Sequence, residues 1–201
     1  MTKPILPYDG RFRISKLYGT PPPAGVHYST GKHPGVDFVG ISGKVIRAVM
    51  DGKVIRAGYD ANGWGKYVAV QQSDGLFTIY CHLSSHAVIP GQQVQSGQKI
   101  GVEGATGQVT GKHLHFEVRR VYSDKFSTIN PTQYLDIKNA IGEVEENMAK
   151  IIPVRVQLPS GAIKTVDGIL QAGTNYVALR QVLEALGFKV GWVNNTITIN
   201  R

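Results

Sequence analysis

The chain has 201 residues, a formal net charge of +8 and a single cysteine. This length allows one large domain or two small ones, and one cysteine excludes both an internal disulfide framework and a cysteine-rich zinc finger. The 42% hydrophobic content excludes a disordered chain, and 24 glycines favour a turn-rich β protein over a helical bundle.

The first 43 residues are rich in proline and glycine, and we expect long loops here because the three prolines at 21–23 are too stiff for a helix. Proline and charged residues interrupt the start of the chain before an apolar run of signal-peptide length develops. No run in the sequence is long enough to span a bilayer. We therefore expect a protein made in the cytoplasm, without a signal peptide and without membrane insertion.

Short β-type runs alternate with turn residues over 44–121. The dipeptides at 51–52, 62–63, 74–75 and 90–91 supply the turns. No amphipathic helix of useful length interrupts the runs, so the sequence predicts a mainly β domain with an antiparallel sheet over residues 1–136. The predicted strands are Val45–Val49, Gly52–Ala57, Tyr67–Gln71, Phe77–His82, Lys99–Val102 and His113–Arg119.

The chain changes character after a polar segment, 137–150, which we interpret as a linker. Residues 151–201 predict a second domain, small and α+β, near the lower size limit for independent folding. Its predicted elements are a strand over Ile152–Leu158, an amphipathic helix over Val177–Leu186 capped by Gly187, and a hairpin of Lys189–Val193 and Thr196–Ile199 around Asn194-Asn195.

All six histidines lie in the first domain, and two groups of them have spacings with chemical meaning. His33 and Asp37 stand where a loop enters a strand, and the Pro-Gly between them excludes the helical zinc motif. The strand period of two places His113 and His115 on one face. His33, Asp37 and one strand histidine would give a metal three protein ligands with the fourth position open, as in catalytic zinc sites.

Three segments resemble the signatures of the lysostaphin-type zinc endopeptidases, which cut peptidoglycan peptides, and the resemblance covers about residues 18–121. The resemblance implies a barrel-sandwich-like β fold and one zinc ion per catalytic domain, held by His33, Asp37 and His115. It also implies that His82 and His113 stand beside the metal as catalytic histidines. In chain order, the segments are His33-Pro-Gly-Val-Asp37-Phe, Tyr80-Cys-His82-Leu-Ser and Gly111-Lys-His113-Leu-His115-Phe-Glu117-Val.

The resemblance implies a mechanism in which zinc polarises the scissile carbonyl and activates water. Of His82 and His113, one would take the proton of the water, and the other would stabilise the oxyanion or assist the leaving amine. The sequence leaves both assignments open. It departs from the family pattern at Cys81, at Gln72 and in the loop Thr20–Lys32, which affects substrate preference rather than activity because no ligand is lost.

Four further residues near the motifs have simpler interpretations. Glu117 lies on the same strand face as the two strand histidines, where it could orient a ligand or form an ordinary salt bridge. We interpret His27 and His86 as surface residues because they match no motif. Cys81 alternates with the face of the following histidine, which favours buried packing.

Two other classes of function are alternatives. A non-enzymatic peptidoglycan-binding regulator with this fold would be expected to lack ligands, whereas all three are present. A biotinyl- or lipoyl-type carrier is suggested by the Gly-x-x-Val-x-x-Gly pattern at 91–97, but no lysine has the setting that such a carrier modifies. We therefore favour the endopeptidase.

The segment 176–192 resembles the copper-amine-oxidase N-terminal-like, or stalk, module. The tail has no histidine or cysteine to bind copper. We expect this domain to bind the wall or to mediate self-association. Tyr176 and Trp192 are candidate contacts, although both could equally be core aromatics.

The charge of +8 favours a polyanionic partner, which by itself could be nucleic acid, a membrane surface or an acidic wall polymer. Given the resemblance, we expect peptidoglycan and anionic wall polymers rather than nucleic acid. A wall peptidase without a signal peptide is typical of a phage endolysin released by a holin, or of a virion-associated lysin. The peptide bond that is cut, in a glycine-rich cross-bridge or between D-alanine and a diamino acid, stays open.

Met148 follows glutamates that purine-rich codons can encode, an arrangement that resembles a ribosome-binding site before a start codon. We hypothesise that a shorter product, residues 148–201, assembles with the full-length chain; the alternative is a linker methionine placed by chance. Replacing Met148 by leucine is then expected to remove a small co-purifying band in gel electrophoresis with mass identification. A band of unchanged mass and amount would contradict the hypothesis.

Overall fold

Short antiparallel strands are the main regular elements of the first 144 residues. The computed structural model describes residues 3–25, 27–144, 150–157, 163–170, 189–193 and 196–200. Up to residue 144, its elements are β1 Phe12–Lys16, β2 Val36–Gly40, β3 Val45–Arg47, β4 Gly52–Asp60, β5 Gly65–Gln72, β6 Phe77–Leu83, β7 Ser85–His86, β8 Gln93–Val94, β9 Lys99–Val102, β10 Leu114–Arg119, β11 Thr128–Ile129, α1 Pro131–Tyr134 and β12 Gly142–Glu143.

Strand β10 lies in the middle of the larger sheet, which has the order β12-β1-β2-β10-β6-β5-β4-β8, with β11 also paired to β10. A smaller sheet has the order β3-β9-β7. The main hydrophobic cluster contains residues of both sheets, including Phe116 of β10, Tyr80 of β6 and Ile46 of β3. The prediction of a mainly β, antiparallel fold is confirmed.

Alternation along β10 separates the core from the site. Leu114, Phe116 and Val118 belong to the main hydrophobic cluster. The side chains between them, at 115, 117 and 119, therefore stand on the other face of the sheet. This face carries the polar residues that are described below.

The strands predicted over 44–121 are present, with shifted ends. Lys99–Val102 is confirmed without change, and β4 and β5 are longer than predicted. A register shift between Val54 and Arg56 lets this pair continue to Asp60 opposite Gly65. The sequence prediction missed the short strands β7, β8 and β11 because two-residue pairings leave no measurable periodicity.

The prediction of long loops over residues 1–43 was wrong for β1, whereas β2 is the strand that the sequence places after the loop of His33. Phe12 and Ile14 are buried whereas Arg13 between them is exposed, which is the alternation of a half-buried strand. The surrounding prolines and glycines dominated the composition and concealed this short pattern.

The predicted linker, 137–150, overlaps with the first of two compact units, residues 1–144 and 145–201. Gly142 and Glu143 pair with β1 and so extend the sheet at its edge. A bidentate ion pair between Arg11 and Glu143, at 2.7 and 2.9 Å, accompanies this pairing. The free hydrogen-bonding groups of an edge strand explain why a segment of linker-like composition is ordered here.

The second unit contains two antiparallel hairpins. The predicted tail hairpin is present, and the strand predicted over Ile152–Leu158 corresponds to the first strand of the other. Their strands are β13 Lys150–Gln157 with β14 Ile163–Leu170, and β15 Lys189–Val193 with β16 Thr196–Asn200.

Other predictions for the tail lie outside the described residues. They are the helix Val177–Leu186 with its cap Gly187, the candidate contact Tyr176, and the start site Met148. In the part of the chain that the structure describes, no helix has the length and apolar character needed to cross a membrane.

A buried carboxylate, that of Glu103, ties the N-terminal segment to both sheets. Its Oε2 accepts hydrogen bonds from the Tyr8 hydroxyl at 2.5 Å and from the Gly40 backbone N–H at 2.7 Å. Its Oε1 accepts a hydrogen bond from Lys44 Nζ at 2.8 Å. Burial and the neighbouring Glu103 charge raise the pKa of Tyr8, so this hydroxyl stays a donor. These donors replace the water that the carboxylate loses on burial.

Replacing Glu103 by leucine is expected to lower the free energy of unfolding by about 3 kcal/mol, because buried donors lose their acceptor. Urea unfolding of the full chain, followed by circular dichroism, measures this change. Glu143→Leu is the matched control, and we expect little effect from it because exposed ion pairs contribute little. Equal losses in the two variants would contradict the role of Glu103.

Candidate metal centre

Antiparallel pairing of β2 with β10 places Asp37 directly opposite His115. His33 joins them from the loop before β2, where its backbone bonds to Gly19 and Thr20 at 2.9 and 2.8 Å. Gly35 lets this loop approach β10, since a Cβ at that position would overlap with Phe116 O and lie 2.8 Å from the His115 ring. The loop before β2 therefore has to lie close against β10, and this brings the three side chains together.

The three predicted ligands present one atom each to a common point. Asp37 Oδ1 lies 2.8 Å from His115 Nδ1 and 3.1 Å from His33 Nε2. The two ring nitrogens are 3.0 Å apart. A tetrahedral zinc ion with ligand bonds of about 2.0–2.1 Å needs neighbouring ligand atoms about 3.3 Å apart. Two imidazoles and one carboxylate at these separations fit a zinc ion. The three ligand atoms would need to move apart by only a few tenths of an ångström to hold it.

The second nitrogen of each ligand histidine has its own partner. His33 Nδ1 lies 2.9 Å from Leu17 O, so it must carry the proton and leave Nε2 free to bind a metal. His115 Nε2 lies 3.0 Å from Glu117 Oε1, which leaves Nδ1 free in the same way. Such outer hydrogen bonds set both the tautomer and the ring orientation of metal ligands.

Charge compensation keeps Asp37 ionised in a site with little water. Burial acts to raise the pKa of Asp37, but the hydrogen bonds and charges of His115 and His33 outweigh it and hold this pKa well below its usual range. Burial would likewise lower the pKa of His115, yet the hydrogen bonds and charges of Asp37 and Glu117 raise it to about 9. A proton and a metal ion therefore compete for Nδ1 of His115.

The two predicted catalytic histidines lie beside this cluster. The rings of His82 and His113 are 4.7 Å apart, and the rings of His82 and His115 are 5.9 Å apart. His113 Nε2 is 3.9 Å from Asp37 Oδ1. In both histidines Nδ1 meets a backbone carbonyl, that of Thr106 at 2.9 Å for His82 and that of Gly111 at 3.0 Å for His113. In the neutral tautomer that donates Nδ1–H to this carbonyl, Nε2 of each ring is the acceptor.

His82 has an unusual backbone, with a φ of 63° in the left-handed region that non-glycine residues rarely adopt. Its N–H donates to Trp64 O at 2.8 Å. Gly104 packs against its carbonyl so closely that a Cβ on Gly104 would lie 2.8 Å from His82 O. Burial and the charges of His115 and His113 lower the pKa of His82 to about 4. The fold thus holds a neutral imidazole at this place in a conformation that is costly by itself.

The remaining sequence interpretations have clear outcomes. His27 and His86 are exposed and have no contact with the cluster. Cys81 is buried with Ala69 and Ile79, as its alternation predicts. Burial, with the negative charge of Glu117, raises the pKa of its thiol well above the usual range.

Glu117 fills both roles that the sequence left open, because one carboxylate oxygen meets His115 and the other meets Arg119. Gln72 is the last residue of β5, and its side-chain amide donates a hydrogen bond to the hydroxyl of Thr78. Its replacement of the family's histidine therefore leaves the ligand set unchanged.

Two residues of the site were missed from the sequence. Arg119 donates to Glu117, and its guanidinium lies 5.1 Å from the centre of the Trp64 ring. Both residues line a cavity of about 280 Å³ beside the metal ligands, together with Ser29, Thr30, Pro34, Glu117 and Lys125. The period of two placed Arg119 on the face of His115, and this was the one signal that could have identified it.

Comparisons with known proteins match this part of the chain. The model of "Peptidase family M23" matches residues 31–131, half of the chain. The chain is 41% identical over 104 residues to "Glycyl-glycine endopeptidase ALE-1" of Staphylococcus capitis, which is 51% of this chain and 28% of that protein. It is 36% identical over 107 residues to "Murein hydrolase activator NlpD" of Escherichia coli, which is 53% of this chain and 27% of that protein.

A solved structure shows the same fold. The catalytic domain of the antimicrobial peptidase lysostaphin from Staphylococcus simulans superposes with a TM-score of 0.57 and 33% identity, covering 62% of this chain and 92% of that domain. The chain spans only about a quarter of the length of the two curated relatives. The similarity therefore concerns the first unit.

Zinc binding at pH 6 is expected to release about one proton per ion, because the raised pKa of His115 means that its ring is protonated there. As the pH rises towards about 9, this proton is lost beforehand, so the affinity for zinc rises and the release from His115 falls. Calorimetric titrations in buffers of different ionisation enthalpy count the protons. His86→Ala is the control and should behave as the unchanged chain; zinc binding without proton release at pH 6 would contradict the prediction.

Proposed function

The chain belongs to peptidase family M23, and from this we propose that its first unit is a zinc-dependent endopeptidase that hydrolyses peptide bonds of bacterial peptidoglycan. The observation that carries the proposal is the convergence of His33 Nε2, Asp37 Oδ1 and His115 Nδ1 on one point. The relatives that are named glycyl-glycine endopeptidase and antimicrobial peptidase support the substrate class.

The three ligands would hold one zinc ion, which supplies the Lewis acidity that polarises a peptide carbonyl and makes water a better nucleophile. Asp37 contributes the negative charge of the ligand set, and the two imidazoles contribute neutral donors. Leu17 O and Glu117 hold these imidazoles in the required tautomers. The pairing of β2 with β10 orients Asp37 and His115 towards the metal position.

His82 and His113 are the groups that we propose for proton transfer. In the neutral form of each ring, Nδ1–H donates to a backbone carbonyl and Nε2 is the acceptor. An Nε2 in this state can take the proton of the attacking water and later deliver it to the leaving amine. We propose that the pair shares these two steps.

An alternative function is a non-enzymatic regulator that binds peptidoglycan, since one relative is named a murein hydrolase activator. The complete ligand set favours the enzyme over this alternative. Two imidazoles and a carboxylate each direct one ligand atom at a single point, and two more histidines lie beside them.

The second unit and the charge suggest how the enzyme stays on its substrate. We propose that the net charge of +8 binds anionic wall polymers, and that residues 151–201 contribute wall binding or self-association. Binding to purified wall that falls as salt is raised would support the first part. Sedimentation at two protein concentrations tests the second part.

We also propose a role in bacteriophage lysis, as an endolysin that reaches the wall through a holin-type pore or as a virion-associated lysin. The support is the pairing of a wall-peptidase fold with a basic chain that would bind to the wall from either side. Host cells that lyse when the protein is expressed with a pore-forming partner, and not without it, would agree with the endolysin.

The test of the enzyme is digestion of purified peptidoglycan, from walls with glycine cross-bridges and from walls with direct D-alanyl links, with mass spectrometry of the released muropeptides. We expect new peptide termini from one wall type, loss of products with a chelator, and recovery with zinc. His115→Ala should lose both zinc and activity. His82→Gln and His113→Gln should keep zinc while kcat falls by about 10²–10⁴-fold.

His86→Ala is the matched control, because this exposed histidine has no contact with the site, and it should digest as the unchanged chain does. Intact peptide bonds in every wall type would contradict the enzyme. The regulator would instead stimulate an added murein hydrolase without forming products of its own.

A further inference from the structure

The ring of His115 is held from two opposite sides. Nδ1 faces Asp37 and His33, at 2.8 and 3.0 Å, and Nε2 faces Glu117 Oε1 at 3.0 Å. A ring that turned about its bond to Cβ would lose both contacts. The direction of Nδ1, and with it the third metal ligand, therefore depends on where the carboxylate of Glu117 stands.

Glu117 is fully buried, with an exposed fraction of 0%. A carboxylate in such a position is stable only when cations or donors surround it. Each carboxylate oxygen of Glu117 has its own partner, since Oε1 contacts His115 and Oε2 contacts Arg119. An unpaired Oε2 would draw the carboxylate towards other donors or towards water in the neighbouring cavity.

Arg119 holds Oε2 with a fork of two nitrogens, Nε at 2.7 Å and Nη2 at 2.6 Å. Its Nη1 donates to Tyr122 O at 2.9 Å, and its guanidinium lies against the ring of Trp64. Only 5% of Arg119 is exposed. Contacts in three directions thus fix the guanidinium, and a planar fork of this kind is more rigid than a lysine ammonium.

We propose that Arg119 is a positioning residue for metal binding, which holds Glu117 so that Nδ1 of His115 stays directed at the metal ligands. The inference rests on the proposed function in one respect, the binding of zinc by His33, Asp37 and His115. It adds a residue that does not touch the metal. Outer partners of this kind contribute to affinity because they reduce the freedom that a ligand loses on binding.

The test compares Arg119→Met with Arg119→Lys in the full chain, with zinc affinity measured by competition against a chromophoric chelator. We expect Arg119→Met to weaken zinc binding by about 10–100-fold. Lysine keeps the charge but cannot donate to Glu117 and Tyr122 in the same geometry, so we expect an intermediate affinity. The matched control is Arg120→Met, since Arg120 is the exposed residue that follows the end of β10.

A second measurement separates positioning from simple stabilisation. Cobalt bound in place of zinc gives a visible spectrum that reports the coordination geometry, and we expect Arg119→Met to change it whereas Arg120→Met leaves it unchanged. A purely structural role would lower the thermal midpoint of the metal-free chain but leave the zinc affinity and the cobalt spectrum as they were. That result would overturn the inference.

If Arg119→Met does not fold, the zinc affinities of Arg119→Lys and Glu117→Gln test the inference instead. Glu117→Gln keeps an acceptor for His115 but loses the charge that holds Arg119, and weaker zinc binding in both variants supports the inference. Unchanged affinity in both variants overturns it. An unaltered chain that binds no zinc overturns the proposed function together with the inference, whereas zinc binding that is insensitive to Arg119 overturns the inference alone.

Discussion

The site depends on one backbone pairing, that of β2 with β10. This register places Asp37 opposite His115 and, two residues further along β10, gives Glu117 the same face. A shift by one residue would turn all of these side chains into the core and the apolar ones outward. The buried residues Leu114 and Phe116 prevent this, since they lie in the main hydrophobic cluster. Packing of the core on one face of the sheet therefore fixes the chemistry on the other.

Charge compensation is the second constraint, because the site concentrates ionisable groups where little water can enter. From Asp37 through His115 and Glu117 to Arg119, each group has a neighbour of complementary character within hydrogen-bond distance. Removing one member leaves its neighbour uncompensated, and the cost is larger than for an exposed pair. Glu103 repeats this arrangement on the side of the N-terminal segment. Buried carboxylates with hydrogen-bonded partners thus occur at two separate places in the unit.

Much of the site could be predicted from the sequence. The alternation of polar and apolar residues predicted the antiparallel strands. The spacing of histidines and aspartate pointed to His33, Asp37 and one strand histidine, and the resemblance to the lysostaphin-type family implied that this histidine is His115. Those signals are local, since a strand period of two and a short loop motif are contained in a few neighbouring residues. For the same reason β1 was missed, because prolines and glycines nearby outweighed a pattern only five residues long.

By itself, the sequence determined the mainly β class, the residue types of the metal ligands and the two histidines beside them. Only the tertiary structure decided which nitrogen each ring presents, and it did so through partners far away along the chain, such as Leu17 for His33. It also decided that Arg119 supports Glu117 from above the Trp64 ring. These outcomes depend on distances between strands that meet only after folding, and no periodicity within a single strand carries that information.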